Sequence, residues 1–527
     1  MKKFKYSFIA SALLGVSLVG CYDMNTEPLG STITADQKEE TVSANPDRIE
    51  ASATAVTALM SAYQNTVGNH ADFGYPSIML LTDCRGIDLV SEDIGYNWFT
   101  MPVSYEDINN TYWATDLYWR TCYKQIYAAN SLAKIIDPET EDPALQFYLA
   151  QAYAFRAFDY FALAQMYQHT YVGNQEKPCV PIITEENMDA AGSEGCARAT
   201  VEEVYEQILT DLDAAIALLE KTTMSRKDKR YVSAEVVYGL RARVNLVMNN
   251  WVGAKEDAAK AIELTSATPY SAEQVSKPGM SDIDDASWMW GVLISETDDI
   301  VKSEIINWPS HMGSLNYGYA SVGAWRRISE SLYTAIPATD VRKGWFLDEN
   351  AYSPYLTAEQ ADYVANTAGC PPYTQMKFGT YQDVIYQSVN CNDIPLMRVE
   401  EMYLILAEAQ AMAGDPAAGA ATLQNFVSTY RDPAYTCTAT EASKVQDAVW
   451  MQRRIELWGE GFSYYDLMRL NKGVDRRGAG FQPQYTYNIP AGDKALIYRL
   501  PQAEIEGNPL ISEADNNPAA DQPTPAE

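Results

Sequence analysis

Residues 398–430 read RVEEMYLILAEAQAMAGDPAAGAATLQNFVSTY, and their spacing decides the fold class. Two helical stretches, Arg398 to Ala413 and Pro416 to Tyr430, flank a Gly414-Asp415 break. Glycine past one helix and proline at the start of the next is the punctuation of a helical hairpin. Small residues (Ala407, Ala411, Ala421) are set against large ones (Tyr403, Leu406, Leu423, Phe426). That alternation lets two antiparallel helices approach closely, the packing logic of tetratricopeptide-type repeats.

Working outward, the same pattern recurs from Ala234 to Leu264, where Ala242, Ala254, Ala258 and Ala261 oppose Tyr238, Leu246 and Trp251. Periodicity predicts further helices over Glu50–Thr66, Asp116–Ile136, Ala144–Gln168 (opened by Pro143), Val201–Lys221, Ser233–Asn249, Val252–Leu264, Ala442–Glu460 and Phe462–Leu470. The expected fold is mostly α: a tetratricopeptide-like helical-hairpin scaffold with long irregular loops and a few short strands. It forms one domain over residues 48–514, with helical repeats at about 50–66, 116–264 and 398–470. Strand candidates are Trp288–Ile294, whose Trp288 and Trp290 belong in the core, and Asp383–Ser388. Residues 515–527, with Asn516, Asn517, Pro518, Pro523 and Pro525, read as a disordered acidic tail.

The first residues carry an address. Lys2, Lys3 and Lys5 precede an uncharged apolar run from Tyr6 to Val19, which closes with Leu18-Val19-Gly20-Cys21. This is the layout of a cleavable export signal, too short for a membrane span, and its ending resembles a lipobox. Residues 1–20 are therefore expected to be removed and Cys21 acylated, with residues 21–47 as a polar linker. Each buried methylene contributes roughly 0.8 kcal/mol, so two or three acyl chains anchor a chain firmly. The formal charge is -31, and loss of Lys2, Lys3 and Lys5 makes it -34. Such a field repels phosphate backbones and anionic head groups, which argues against nucleic acid as a partner.

Motifs for catalysis are sparse. The chain has no His-Glu-x-x-His, no phosphate-binding glycine loop and no Cys-x-x-Cys, and Ala191-Gly192-Ser193-Glu194-Gly195 lacks the strand a nucleophile elbow needs. Three scattered histidines (His70, His169, His311) leave a structural zinc site without ligands. No cofactor is implied. Asp282, Asp284 and Asp285 lack the glycine and closing glutamate of a calcium loop and read as an acidic turn. Of the seven cysteines beyond Cys21, Cys179 with Cys196 and Cys370 with Cys391 could form disulfides, whereas Cys122 reads as a buried thiol.

What remains is aromatic. The regions at about 67–115 and 265–395 are long and irregular, and such loops usually carry function. In the first, Tyr96-Asn97-Trp98-Phe99 follows the charged string Asp83, Arg85, Asp88; in the second, Trp308, Tyr317, Tyr319 and Trp325 share a Gly-rich stretch with His311 and Asn316. A sugar ring has an apolar C–H face and a rim of hydroxyls. Flat aromatic platforms with polar edges suit both, so these residues are the candidate ligand contacts, with no catalytic or metal-binding residue among them.

Four segments, in order, resemble the SusD/RagB family of outer-membrane lipoproteins. They are Arg156-Ala157-Phe158-Asp159-Tyr160-Phe161-Ala162-Leu163; Asp340-Val341-Arg342; Leu396-Met397-Arg398 through Ala407-Glu408-Ala409; and Arg453-Arg454-Ile455-Glu456-Leu457 with Glu460-Gly461 and Asp466-Leu467-Met468-Arg469-Leu470. Leu500-Pro501 through Glu504-Ile505 and Asn508-Pro509 resemble the family's closing segment. The chain departs from the pattern at Arg453-Arg454, where Glu-Arg is usual, at Ser463-Tyr464-Tyr465, which replaces a third arginine, and in its acidic ending. The resemblance implies a non-enzymatic, cell-surface, lipid-anchored protein of the outer membrane. It would bind oligosaccharide without a covalent step and act as the lid of a SusC-like TonB-dependent importer. It transfers no ligand residues. The rival readings are a surface glycoside hydrolase with paired carboxylates and a peptide-binding or adhesion lipoprotein on the same scaffold.

Overall fold

Local capping signals set the helices where the periodicity places them. The computed structural model describes residues 46–64, 69–92 and 96–526; Cys21, the signal and most of the linker lie outside the described residues. Helix α1 (Pro46–Ala58) runs into a 3-10 turn at Leu59–Ser61, short of Thr66. Then follow α2 (Tyr75–Arg85), α3 (Trp113–Ala133), α4 (Pro143–Tyr167), α5 (Val201–Lys221), α6 (Ala234–Val247), α7 (Trp251–Leu264), α8 (Val399–Met412), α9 (Pro416–Tyr430), α10 (Ala442–Glu456) and α11 (Ser463–Arg469). The Asp142 carboxylate accepts from the Ala144 and Leu145 amides at the start of α4, and Thr200 with Glu203 forms a capping box on α5. In α9, a Cβ on Gly419 would sit 2.5 Å from the Ala407 carbonyl oxygen of α8, so only glycine permits that approach.

Each scaffold helix packs on the next: α3 on α4, α4 on α5, α5 on α6 and α6 on α7. Helix α7 then packs on α8, which also carries α9 and α10, so the two helical blocks join into one array across the long second loop region. The expected mostly-α scaffold is what the chain builds. Among the described residues no helix is long and apolar enough to cross a membrane. Helix α2 is an addition, and all eleven of its residues are buried. A helix covered on every side shows no apolar stripe and therefore no period.

Short antiparallel ladders stitch the loops to this array. Strands β1 (Leu89–Ser91), β2 (Pro178–Pro181), β3 (Arg198–Thr200), β4 (Trp288–Val292), β5 (Arg326–Ile328) and β6 (Ile394–Arg398) pair as β1–β5, β2–β3 and β4–β6. On β4, Trp288 and Trp290 are fully buried, and Trp290 meets Phe158 of α4 edge-on at 5.0 Å. The other expected strand does not form. Gln382, Asp383 and Tyr386 adopt φ of 55°, 57° and 56°, which breaks an extended run.

A buried ionic cluster joins the second loop region to α8–α10. Arg342, Lys377, Arg398 and Arg431 meet Asp340, Glu400, Glu456 and Glu460, so four cations face four carboxylates. Arg431 lies 2.8 Å from Glu456, and both Arg398 (2.8 Å) and Lys377 (2.6 Å) reach Glu460. Desolvation of such ions costs several kcal/mol each and is offset only by complete pairing. Burial penalises the Glu456 carboxylate, but Arg431 and Arg398 outweigh it and hold it well below the ordinary range.

Two further expectations are corrected. The C-terminal tail is not a loose chain: Asn517 donates to the Tyr167 and Tyr498 carbonyls at 2.6 and 2.7 Å, Gln522 to the Ser104 carbonyl at 2.9 Å, and the Ala526 amide to the Thr486 carbonyl at 2.7 Å. Its asparagines and glutamine satisfy backbone groups that the body leaves open. The seven described cysteines are all free, so neither Cys179 with Cys196 nor Cys370 with Cys391 is bridged. The Cys196 thiol turns to the Ile182 carbonyl and that of Cys391 to the Ile294 carbonyl. Cys122 is buried, and that burial raises its pKa well above the ordinary thiol value.

Candidate functional site

Strands β1 and β5 pair with Ser91 opposite Arg326, so the segment after β1 and the segment before β5 leave the ladder at the same end. That register brings Tyr96–Phe99 together with residues 317–321, although more than half the helical array separates them in sequence. Asn97 then fixes the first segment. Its amide donates to the Ser91 hydroxyl (2.8 Å) and the Glu92 carbonyl (3.1 Å), and its oxygen accepts from the Phe99 amide (3.0 Å) and Arg326 (3.2 Å). With every polar atom engaged, Asn97 is a clamp, and it leaves Tyr96 and Trp98 on either side 58 % and 39 % exposed.

The second segment carries the remaining rings. Gly318 at φ +146° lies against Ser310, where a Cβ would come within 2.1 Å of the hydroxyl oxygen, and this tight passage turns Tyr317 and Tyr319 to opposite neighbours. Tyr317 is half-buried and meets the exposed Tyr386 edge-on at 5.3 Å. The Tyr319 ring is buried, and its hydroxyl is hydrogen-bonded to Nδ1 of His70. The His70 imidazole stacks on Trp98 with centroids 4.6 Å apart and planes at 20°. Tyr96 and Trp98, with His70 and Tyr319 behind Trp98, and the Tyr317–Tyr386 pair are the rings and hydroxyls that these loops present as a candidate aromatic face. Cations beside it are engaged elsewhere: Arg327 pairs with Glu92, and buried Arg326 donates to the His311 carbonyl (2.7 Å).

Four candidate residues, Asp83, Arg85, Asp88 and Trp308, are buried and do not reach this face as ligand contacts. Asp83, Arg85 and Asp88 are at most 1 % exposed. Arg85 pairs with Asp107 at 2.5 Å beneath the rings of Tyr105, Tyr498 and Tyr464, 4.5, 4.8 and 5.3 Å from its guanidinium carbon. Asp88 pairs with Arg454 at 2.5 Å and accepts the Ser463 hydroxyl at 2.7 Å. Asp83 accepts the Gly461 amide at 2.9 Å, and burial pushes its carboxyl up to about 7. Trp308 is 2 % exposed and packs edge-on against Phe378. Each of the four is held by a partner in the core, so a loop position did not mean a surface position. Trp325 is half-buried with its indole N–H on the Ala368 carbonyl. Conversely, sequence reasoning missed His70 and Tyr386; Tyr386 was hidden inside the expected strand.

The arrangement offers stacking and hydroxyl hydrogen bonding. Asp282, Asp284 and Asp285 form the acidic turn, with the Asp284 amide on the Asp282 carboxylate, and among the described residues no group of acids, histidines or cysteines is placed to hold a metal ion.

Comparison with known proteins matches two separate stretches of the chain. A family model described as "Starch-binding associating with outer membrane" (SusD-like) covers residues 41–246, and the SusD family model covers residues 329–516. Two SusD-like proteins of Formosa agariphila are each 24 % identical, one over 98 % of this chain and 100 % of its own, the other over 69 % and 73 %. A crystal structure from Bacteroides vulgatus, described as a SusD-like carbohydrate binding protein, superposes with a TM-score of 0.74 at 24 % identity, covering 89 % of this chain and 98 % of that one. A SusD superfamily protein from Bacteroides thetaiotaomicron gives 0.70 at 20 %, covering 90 % and 100 %. With family models matched over two stretches that together span most of its length, the chain belongs to the SusD/RagB family.

Proposed function

We propose that this protein is a cell-surface oligosaccharide-binding lipoprotein, held at the outer membrane by lipid on Cys21, that serves as the lid of a SusC-like TonB-dependent importer. The observation that carries the reading is the exposure of Tyr96, Trp98 and Tyr386 on loops, with half-buried Tyr317 edge-on against Tyr386. Rings of this kind stack on the C–H faces of sugars while phenol hydroxyls bond the rim. The family description, starch binding and outer-membrane association, supports the same role. With Arg326 and Arg327 engaged and a formal charge of -31, the face favours neutral saccharides over uronates or sulfated glycans. Binding is non-covalent, and the lipid tether keeps the body beside its transporter.

Calorimetry against neutral gluco-, manno- and xylo-oligosaccharides, anionic oligosaccharides and peptides tests this. A neutral saccharide should bind, and Trp98→Ala should weaken it about 10- to 100-fold, the range of a hot-spot aromatic. Binding of peptides alone would sink the carbohydrate reading, and release of reducing ends would identify a hydrolase instead. Detergent extraction should recover the protein with a large barrel transporter.

A further inference from the structure

We infer that His70 is the positioning residue of the aromatic face, holding Trp98 in a fixed, one-sided stacking platform; this rests on the saccharide reading of that face. An indole has two faces, and the imidazole of His70 covers one of them, with centroids 4.6 Å apart and planes at 20°. The 39 % of Trp98 that remains exposed therefore belongs to the outer face and edge. A ring already held in place loses less freedom when ligand arrives, which is the source of affinity in a pre-organised site.

His70 is itself held from behind. Its Nδ1 is hydrogen-bonded to the Tyr319 hydroxyl. When Nδ1 accepts the tyrosine's proton, neutral His70 carries its own proton on Nε2. Trp98, His70 and Tyr319 thus form a connected row, ring on ring and ring to hydroxyl. The column continues inward: Tyr319 stacks on His311 (4.7 Å, 23°), His311 stacks on Phe73 (5.4 Å, 18°), and His311 Nε2 donates to the His70 carbonyl oxygen at 2.6 Å. Two of the three histidines therefore stand behind one exposed tryptophan.

Protonation of His70 would put a donor at Nδ1, so the Tyr319 hydroxyl would have to turn its own proton away from the ring. The titratable or charged groups around His70 are Tyr319 on its 3-10 turn and His311 on the short helix Trp308–Met312, with Arg326 beyond it; Asp72, on the same loop, has its carboxylate on the Gln64 amide. Burial lowers the pKa of His70, so the imidazole is uncharged at neutral pH.

The test begins without ligand, on the full chain, reading Trp98 as the difference in fluorescence between the wild type and Trp98→Phe. Imidazolium stacked on indole quenches it, so the difference signal should fall on acidification with a midpoint below the ordinary histidine value of about 6.5. His70→Phe, which keeps a stacked ring, should hold Trp98 rigid in time-resolved anisotropy yet abolish the pH response. His70→Asn, which keeps a short acceptor but no ring, should add a fast anisotropy component and weaken the best-bound neutral oligosaccharide of the panel about 3- to 10-fold. A Trp98 signal in His70→Asn with wild-type rigidity and wild-type pH response overturns the inference. A rigid, pH-responsive Trp98 in a protein that binds no saccharide overturns only the reading of the face. Melting curves for both variants separate loss of fold from loss of positioning.

Discussion

Two segments of the first loop region lie a few residues apart and meet opposite fates. Asp83, Arg85 and Asp88 are charged and end in the core; Tyr96 and Trp98 are aromatic and end at the surface. The difference lies in what the rest of the chain supplies. Arg85 finds Asp107 and three tyrosine rings, Asp88 finds Arg454 and Ser463, and Asp83 finds the Gly461 amide, so each side chain has a partner although Asp83 Oδ1 and Arg85 Nε stay unpaired. Asn97 instead satisfies itself locally and turns its neighbours outward. Burial follows partners, and several partners of the charged string lie on or between α10 and α11: Arg454, Gly461, Ser463 and Tyr464. Ser463 and Tyr464 are positions where the chain departs from the family pattern.

The largest effect should come from breaking the buried member of the comparison. Arg85→Ala leaves Asp107 without its cation in a site of 0 % exposure, and removing one partner of a buried pair costs about 3–5 kcal/mol. Denaturant unfolding should show that loss, while the folded fraction keeps its saccharide affinity. A loss under about 1 kcal/mol would mean the pair is worth no more than a surface bridge.

Asp83→Asn should act with the opposite sign. The native carboxyl titrates at about 7, above the unfolded value near 3.9. Between those limits the native state keeps a proton that the unfolded chain has released, so stability falls as pH rises from about 4 to about 7 and is level beyond. The amide cannot ionise and can still accept the Gly461 amide. Melting curves for variant and wild type should therefore converge near pH 4 and separate toward pH 7 in favour of the variant, by a few kcal/mol at ~1.4 kcal/mol per unit. Parallel curves across that range would show that Asp83 is already ionised in the fold.

How much of this was legible in the sequence depends on the range of the signal. Helices α5 and α9 begin and end where the spacing placed them, because Thr200, Glu203, Asp415 and Pro416 are local signals. Helix α2 was invisible, since its apolar and charged residues are buried on every side. Tyr96 and Trp98, candidates from their loop context, are exposed. The mistake over Asp83, Arg85 and Asp88 was a long-range one: Asp83 and Asp88 meet partners 378 and 366 residues away, and no window along the chain contains both sides of those bonds. Trp308 failed for the same reason, as Phe378 covers it from a later turn.

The smallest expected effect divides the second loop region by the same criterion. Tyr386 is 44 % exposed and touches Tyr317 edge-on, whereas Trp308 is 2 % exposed. Tyr386→Phe removes one hydroxyl and keeps the ring, so the stacking surface survives and only a rim hydrogen bond to sugar is lost. A net hydrogen bond is worth about 0.5–1.5 kcal/mol, which corresponds to roughly 2- to 12-fold in Kd, with the melting temperature unchanged. Trp308→Phe, which shrinks a buried ring against Phe378, should do the reverse: it lowers the melting temperature and leaves Kd alone. If the two variants exchange these signatures, the saccharide contacts Trp308 through a rearranged loop, and the aromatic face drawn from exposure is the wrong surface.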